Sequence, residues 1–242
     1  MAKTKIAWCD WALNFTKWFC TKCSPGCQNC YMFDMAKRYP ANAANRPVWR
    51  SNALKELRKV PPGAFVFVGD MYDQYHEQMP TMWIHRVHNL ATYQRPDVEF
   101  MFLTKRIERV AQLSPHLSWP ENVWLGVTVE NVDYVWRIDY LRALPAVTKF
   151  VSFEPLLADL GEIDLSGIDL AIVGAESGTN RRPFDRDWAR NLRAQCQRDG
   201  AAFFYKQSSG HYPGADPYLD GRLWWEFPDK RRPLKLGNRH CL

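Results

Sequence analysis

Six short apolar runs, each closed by a polar or charged residue, constrain this chain more than any other feature of its sequence. They lie at 64–68 (then Gly69-Asp70), 98–103 (then Thr104-Lys105-Arg106), 123–129 (then Glu130), 150–153 (then Glu154-Pro155), 170–173 (then Gly174-Ala175-Glu176-Ser177-Gly178) and 201–205 (then Lys206-Gln207). Near-continuous apolar runs of this length read as strands buried on both faces. Between them, 82–93, 107–113, 132–144 and 188–196 carry apolar residues at helical spacing, and Gly200 stops the last. The stretch 156–168 has little helix signal, and one further strand is expected at 14–19. Strands alternating with helices predict an α/β fold: a parallel sheet wound by right-handed crossovers into a partial or closed (β/α) barrel. A doubly wound open sheet competes, but no Gly-x-Gly-x-x-Gly turn supports it.

In a parallel barrel the C-terminal strand ends converge on one face, where sites are built. Asp70, Thr104, Lys105, Glu130, Glu154, Glu176, Lys206 and Gln207 are therefore expected around one mouth. Some of this is the ordinary polarity of strand ends. The barrel is expected over 1–207. Residues 208–242, with the Trp224-Trp225 pair, read as an irregular tail packed on the barrel or over its mouth. Those tryptophans are placed either to stack on bases or to cap a core.

The 242 residues suffice for one large domain. No apolar run reaches the roughly 20 residues of a membrane span, and the N-terminus has no secretory apolar core, so the cytoplasm is the expected compartment. Net charge is +6, with Lys230, Arg231, Arg232, Lys235 and Arg239 crowded in the tail. That balance fits an anionic partner such as nucleic acid, or simply a solvated tail.

Cys20, Cys23, Cys27 and Cys30 fall within eleven residues, while Cys9, Cys196 and Cys241 are isolated. Where thiols stay reduced, such a cluster argues for metal rather than disulfides. Thiolates suit both zinc and iron–sulfur clusters. Zinc ribbons separate their two Cys-x-x-Cys pairs by a dozen or more residues, whereas three separate the pairs here, which favours a cluster held by one loop.

The spacing Cys23-x3-Cys27-x2-Cys30, followed by an aromatic residue, resembles the motif of radical S-adenosylmethionine enzymes. That likeness implies a [4Fe–4S] cluster on three cysteines, with the fourth iron open to S-adenosylmethionine, an electron donor, and radical chemistry begun by a 5′-deoxyadenosyl radical. A closer resemblance runs from about Lys5 to Gln207. It rests on Cys-Thr-Lys-Cys-Ser-Pro-Gly-Cys-Gln-Asn-Cys-Tyr (20–31), Leu-Thr-Lys-Arg (103–106), Trp-Leu-Gly-Val-Thr-Val-Glu-Asn (124–131), Val-Ser-Phe-Glu-Pro-Leu-Leu (151–157), Val-Gly-Ala-Glu-Ser-Gly (173–178) and Phe-Phe-Tyr-Lys-Gln (203–207). These are similar to a three-cysteine-motif family of phages and prophages, described as radical-SAM-like. In that family the cysteines correspond to Cys20, Cys27 and Cys30; the superfamily spacing makes Cys23 the first ligand instead.

The resemblance implies that Gly69, Asp70, Thr104, Glu130, Gly174 and Glu176 contact the cofactor and that Lys105, Glu154 and Lys206 serve catalysis. Glu130 and Glu154 are placed to hold ribose hydroxyls or a substrate amine, or to pair with Lys105 or Arg106 as scaffolding. Lys105, Arg106, Arg181, Arg182 and Lys206 suit a phosphate-bearing substrate, or neutralise nearby carboxylates. The leading expectation is a radical enzyme acting on a nucleic-acid base or nucleotide, as in phage DNA hypermodification. A non-catalytic zinc- or cluster-containing nucleic-acid-binding protein and a barrel that serves as an assembly subunit are the other readings.

Overall fold

The computed structural model describes residues 3–228, 231 and 233–236. Seven strands form one sheet in strict chain order: β1 (Trp11–Leu13), β2 (Phe65–Val68), β3 (Glu99–Thr104), β4 (Val123–Thr128), β5 (Thr148–Phe153), β6 (Leu170–Gly174) and β7 (Ala202–Gln207). Every neighbouring pair is parallel. Helices α1 (Tyr31–Arg38) and α2 (Ala53–Leu57) join β1 to β2, and α3 (Thr81–Asn89), α4 (Ile107–Leu113) and α5 (Trp136–Ala143) fill the next three crossovers. The link from β5 to β6 holds no helix, as its sequence implies, and α6 (Arg186–Asp199) precedes β7. Asp185 caps α6 by accepting from the Asp187 amide, and Gly200 ends it in the left-handed conformation at φ 81°.

The first strand corrects the sequence reading. Residues 14–19 are not a strand of the sheet; β1 precedes them, and the later stretch runs beside residues 42–50 through isolated bridges Thr16–Trp49 and Trp18–Ala43. Its apolar residues serve aromatic packing instead, with the Phe15 and Trp49 rings stacked 5.8 Å apart.

The sheet is curled. Phe227 lies 5.9 Å from Phe65 on β2 and 5.6 Å from Phe204 on β7. Five strand spacings in a flat sheet would hold those strands roughly 24 Å apart. β1 and β7 are the two edges and do not pair, so the architecture is a parallel half-barrel.

Side-chain alternation divides the core. Val66, Val68, Phe100, Phe102, Leu125, Val127, Val151 and Phe203 pack under the helices on the convex side. Phe65, Phe67, Met101, Trp124, Phe150, Leu170, Ile172 and Phe204 line the concave side. Both ends of the described chain enter that hollow. Trp8 lies 4.7 Å from Phe67, and Trp225 stacks on Phe204 at 5.7 Å. Residues 224–226 run antiparallel along the outer edge of β7, with Tyr205 N donating to Trp224 O and Glu226 N to Phe203 O. This covers backbone groups that an exposed edge would leave unpaired. Asp10 fastens the tail, accepting from the amides of Phe65, Leu234 and Lys235 at 2.8–2.9 Å.

The tail also contains a short antiparallel pair, β8 (Tyr218–Leu219) and β9 (Arg222–Leu223). Trp224 and Trp225 therefore cap the core. Of the basic tail cluster, Lys230, Arg232 and Arg239 lie outside the described residues, as does Cys241. Arg231 lies over Trp124 at 5.2 Å, at the strand end opposite the cysteine loop. Among the described residues no helix is long and apolar enough to cross a membrane.

Candidate metal centre at the barrel mouth

The loop after β1 carries the clustered cysteines across the C-terminal strand ends. It makes one 3₁₀ turn at Pro25–Cys27 and enters α1 at Cys30. Cys20, Cys23, Cys27 and Cys30 are all free thiols: Cys27 is buried, Cys20 and Cys30 half-buried, and Cys23 exposed. The neighbouring Cys23 thiol, helped by the Lys105 charge and by Ser24, whose Oγ lies 3.6 Å from Cys27 Sγ, lowers the Cys27 thiol to about 4 against the opposing effect of burial. The same neighbour interaction pushes Cys23 up. Burial raises Cys20 to about 11 and also raises Cys30, and both thiols feel the charge of Cys27. A lowered thiol is the more readily converted to the thiolate form that ligates metal. Among the described residues no three Cys, His, Asp or Glu side chains form a ready-made metal site.

Three sets of contacts fix the loop over the mouth. The first comes from β2 and β3. Arg106 donates through Nη2 to Thr21 O and Oγ1 at 3.2 and 2.9 Å, and Thr21 Oγ1 lies 2.8 Å from His76 Nε2. Arg106 is oriented by Glu77 and by Asp73, whose carboxylate also accepts from Thr104 Oγ1 and the Lys105 and Tyr75 amides. Thr104 is thus bound within this scaffold.

The second set comes from β4. Glu130 is completely buried, and its carboxylate receives Ser24 Oγ, Lys105 Nζ and Arg137 Nη1, the last at 3.1 Å. A side chain on Gly26 would come within 2.5 Å of Glu130 Cγ, so the turn needs glycine for its close approach.

The third comes from β6. Glu176 accepts from Asn29 Nδ2 at 3.1 Å and the Arg182 amide at 2.8 Å, and pairs with the Arg182 guanidinium. Arg182 in turn reaches Pro25 O at 3.0 Å. These partners and Arg182 hold Glu176 below the usual carboxylate range against the opposing effect of burial.

Gly69 and Asp70 follow β2 at the loop's inner margin. Gly69 adopts φ 80°, and Asp70 accepts from Asn14 Nδ2 at 2.6 Å. Burial raises the Asp70 carboxyl despite that bond. Tyr31 OH donates to Asp70 O at 2.7 Å, joining the start of α1 to the same turn.

On the far side, Lys206 Nζ stands 2.9 Å from Glu154 Oε1, off the direction of a hydrogen bond, and that buried oxygen accepts none. Gly174 makes room for it, since a Cβ there would lie 2.5 Å from Glu154 Oε1.

Asp70, Thr104, Lys105, Glu130, Glu154, Glu176 and Lys206 are gathered at the mouth, with different tasks, whereas the Gln207 side chain bonds Ala175 O and the Gly214 amide. Glu130 and Glu176 hold the cysteine loop, and Thr104 is bound within the Asp73–Arg106 scaffold that reaches it. Lys105, Arg106, Arg182 and Lys206 are each matched to a carboxylate, so neutralisation accounts for them. Glu154 keeps an acceptor free of hydrogen bonds. Sequence reasoning missed Ser24, Asn29, Asp73, His76 and Arg137, whose roles depend on contacts with distant segments. The only available sign was the polar content of the loops around the first four; Arg137 lies inside α5 and had none.

Fold and site together define a class: a parallel α/β half-barrel with a thiol-bearing loop pinned over its mouth. Residues 3–228 match the family model described as a protein of unknown function, DUF5131, and the chain belongs to that family. No curated protein and no solved structure matches the chain.

Proposed function

We propose that this protein holds a [4Fe–4S] cluster on the loop spanning residues 20–30 and cleaves S-adenosylmethionine to begin radical chemistry on a nucleic-acid base or nucleotide. One observation carries this reading: four free thiols share one loop, and three strand ends hold that loop over the hollow of a parallel half-barrel. The donor set fits an iron–sulfur cluster in its soft thiol ligands. Cys27 and Cys30 would ligate, with Cys20 or Cys23 completing the set. Bound and reduced, such a cluster supplies the electron that cleaves the sulfonium cofactor.

The chain's own residues bind, orient and shield. Arg106, Glu130 and Glu176 prevent the loop from lifting. Phe67, Trp124, Phe150 and Phe204 give the hollow an apolar floor that excludes water from reactive species. Gly69 and Asp70 offer backbone and carboxylate acceptors beside the loop for the cofactor's amino group. Glu154 and Lys206 present an acceptor and a cation on the opposite wall, suited to orienting a base edge that carries both donor and acceptor groups.

The test is anaerobic reconstitution with iron and sulfide, followed by reduction and assay for 5′-deoxyadenosine. Cleavage is expected in the wild type and is lost in Cys27→Ala and Cys30→Ala; comparing Cys20→Ala with Cys23→Ala identifies the third ligand. A protein with a full cluster that leaves S-adenosylmethionine intact refutes the proposal, and a colourless protein with stoichiometric zinc favours the non-catalytic reading.

A further inference from the structure

Charge is concentrated where the loop is. Residues 14–50 contain Lys17, Lys22, Lys37, Arg38, Arg46 and Arg50 against the single acid Asp34, which places five of the chain's six net positive charges in 37 residues. Only Arg50 is committed to the scaffold, bonded to Asn14 O and Glu56. Lys17 and Lys22 donate to the backbone carbonyls of Ala41 and Gln28, which leaves their charges uncompensated. Lys37 and Asp34 are both about four-fifths exposed and 4.0 Å apart, a pair worth little in water. Arg38 and Arg46 are exposed and have no carboxylate partner among the described residues.

These cations lie on adjoining segments that form a shoulder beside the cysteine loop. Residues 17–18 pair with 42–48 through Lys17 N to Val48 O and Trp18 N to Asn42 O. Trp18 lies edge-on to Tyr39 at 6.4 Å, and Arg38 lies over Tyr39 at 5.5 Å. Lys22 lies 5.2 Å from the Phe33 ring, which ties the cysteine loop to α1. Tyr39 is 43% exposed and Tyr31 50% exposed; Tyr31 begins α1 and reaches the mouth through Asp70. An exposed face that alternates cations with accessible aromatic rings matches the chemistry of single-stranded nucleic acid, whose phosphates need charge and whose bases stack. The described tail cations do not contribute here: Lys235 Nζ bonds Ile6 O, and Arg231 sits at the opposite strand end.

We infer that this shoulder, formed by Lys17, Lys37, Arg38, Tyr39 and Arg46, binds single-stranded nucleic acid and leads it toward the mouth. The substrate base is then part of a polynucleotide rather than a free nucleotide. This deepens the functional proposal and rests on it only for the purpose of binding, not for binding itself.

The test measures fluorescence anisotropy of a labelled strand of about 16 nucleotides, the upper range of one such site, with the full chain, without reductant or S-adenosylmethionine. The wild type is expected to bind with a clear dependence on salt. Lys37→Ala/Arg38→Ala/Arg46→Ala is expected to bind at least about ten-fold more weakly, with the log–log salt slope smaller by about 2, at about 0.7 per phosphate contact removed. Tyr39→Ala is expected to weaken binding about ten-fold without changing the slope, as loss of stacking does. Equal melting temperatures establish that the variants are folded; because the mutated side chains are exposed, a melting difference is corrected by Lys37→Gln/Arg38→Gln/Arg46→Gln, which must behave as the alanine variant does. No wild-type binding at low salt, unchanged affinity in the triple variants, or preferential binding to anionic vesicles that the strand cannot displace overturns the inference. A chain that cleaves S-adenosylmethionine yet ignores the strand refutes the shoulder alone.

Discussion

Replacing Glu130 with glutamine removes a negative charge from the most enclosed point of the mouth. The side chain is fully buried and lies between Lys105 and Arg137, whose side chains are 17% and 3% exposed. In Glu130→Gln the Arg137 guanidinium stays buried without its counter-charge. Breaking a buried pair from one side costs about 3–5 kcal/mol. Arg137 keeps its bond to Thr128 O and its place over the Tyr134 ring, so the lower figure, about 3 kcal/mol, applies. At about 2–4 °C per kcal/mol for a chain of this size, the melting temperature should fall by about 6–12 °C. Hydrogen exchange should also quicken at residues 22–28, because Glu130 is the acceptor that Ser24 reaches. Ser24→Ala separates the two effects. It removes only the loop's hydroxyl, costs about 1 kcal/mol and should free the same amides with a small change in melting. A Glu130→Gln protein that melts within about 2 °C of wild type (less than 1 kcal/mol), with its loop still protected, would refute the account of Glu130 as the buried anchor.

Three further outcomes follow from other contacts. In metal-free protein the thiolate ultraviolet absorbance should show Cys27 ionised above about pH 4, and Cys23→Ala should move that transition up by removing the neighbouring thiol. His88 is buried between Tyr75 OH and Ser118 O, and desolvation lowers it from the ordinary 6.5 to about 4. The unfolded chain therefore takes up a proton in a window where the folded chain does not, so stability is complete above pH 6.5 and declines from there toward pH 4. Thermal melts across that range should show less acid sensitivity in His88→Gln, and an identical pH profile would count against it. Asp10→Ala removes the acceptor of three backbone amides and should cost about 3 kcal/mol or more, with increased binding of a hydrophobic dye as the tail loosens from the concave aromatic face.

The parallel sheet was legible because each strand buried on both sides leaves an unbroken apolar run, as Phe65–Val68 does. Its direction was legible too, since Glu130, Glu154 and Lys206 close such runs. β1 was hidden: at three residues, two of them half-buried, it has less apolar signal than the aromatic stretch that follows it. The curl was also hidden, because contacts that report it, such as Phe227 against both β2 and β7, join distant segments rather than residues of any local window. At the mouth, the cysteines and strand-end residues announce themselves by spacing. Whether a carboxylate such as Glu130 faces a ligand or holds a loop depends on partners up to 106 residues away, here Ser24.

The grip of Asp10 on Leu234 and Lys235 also sets an order of events. A ribosome must translate beyond Lys235, and release it from the exit tunnel, before the underside of the half-barrel can be sealed. Until then a nascent chain can have all seven strands and its thiol loop in place above a bowl whose base is still wet. Premature termination upstream of that residue would yield a chain with a nearly complete sheet and an unshielded aromatic lining, the kind of surface that quality-control machinery captures.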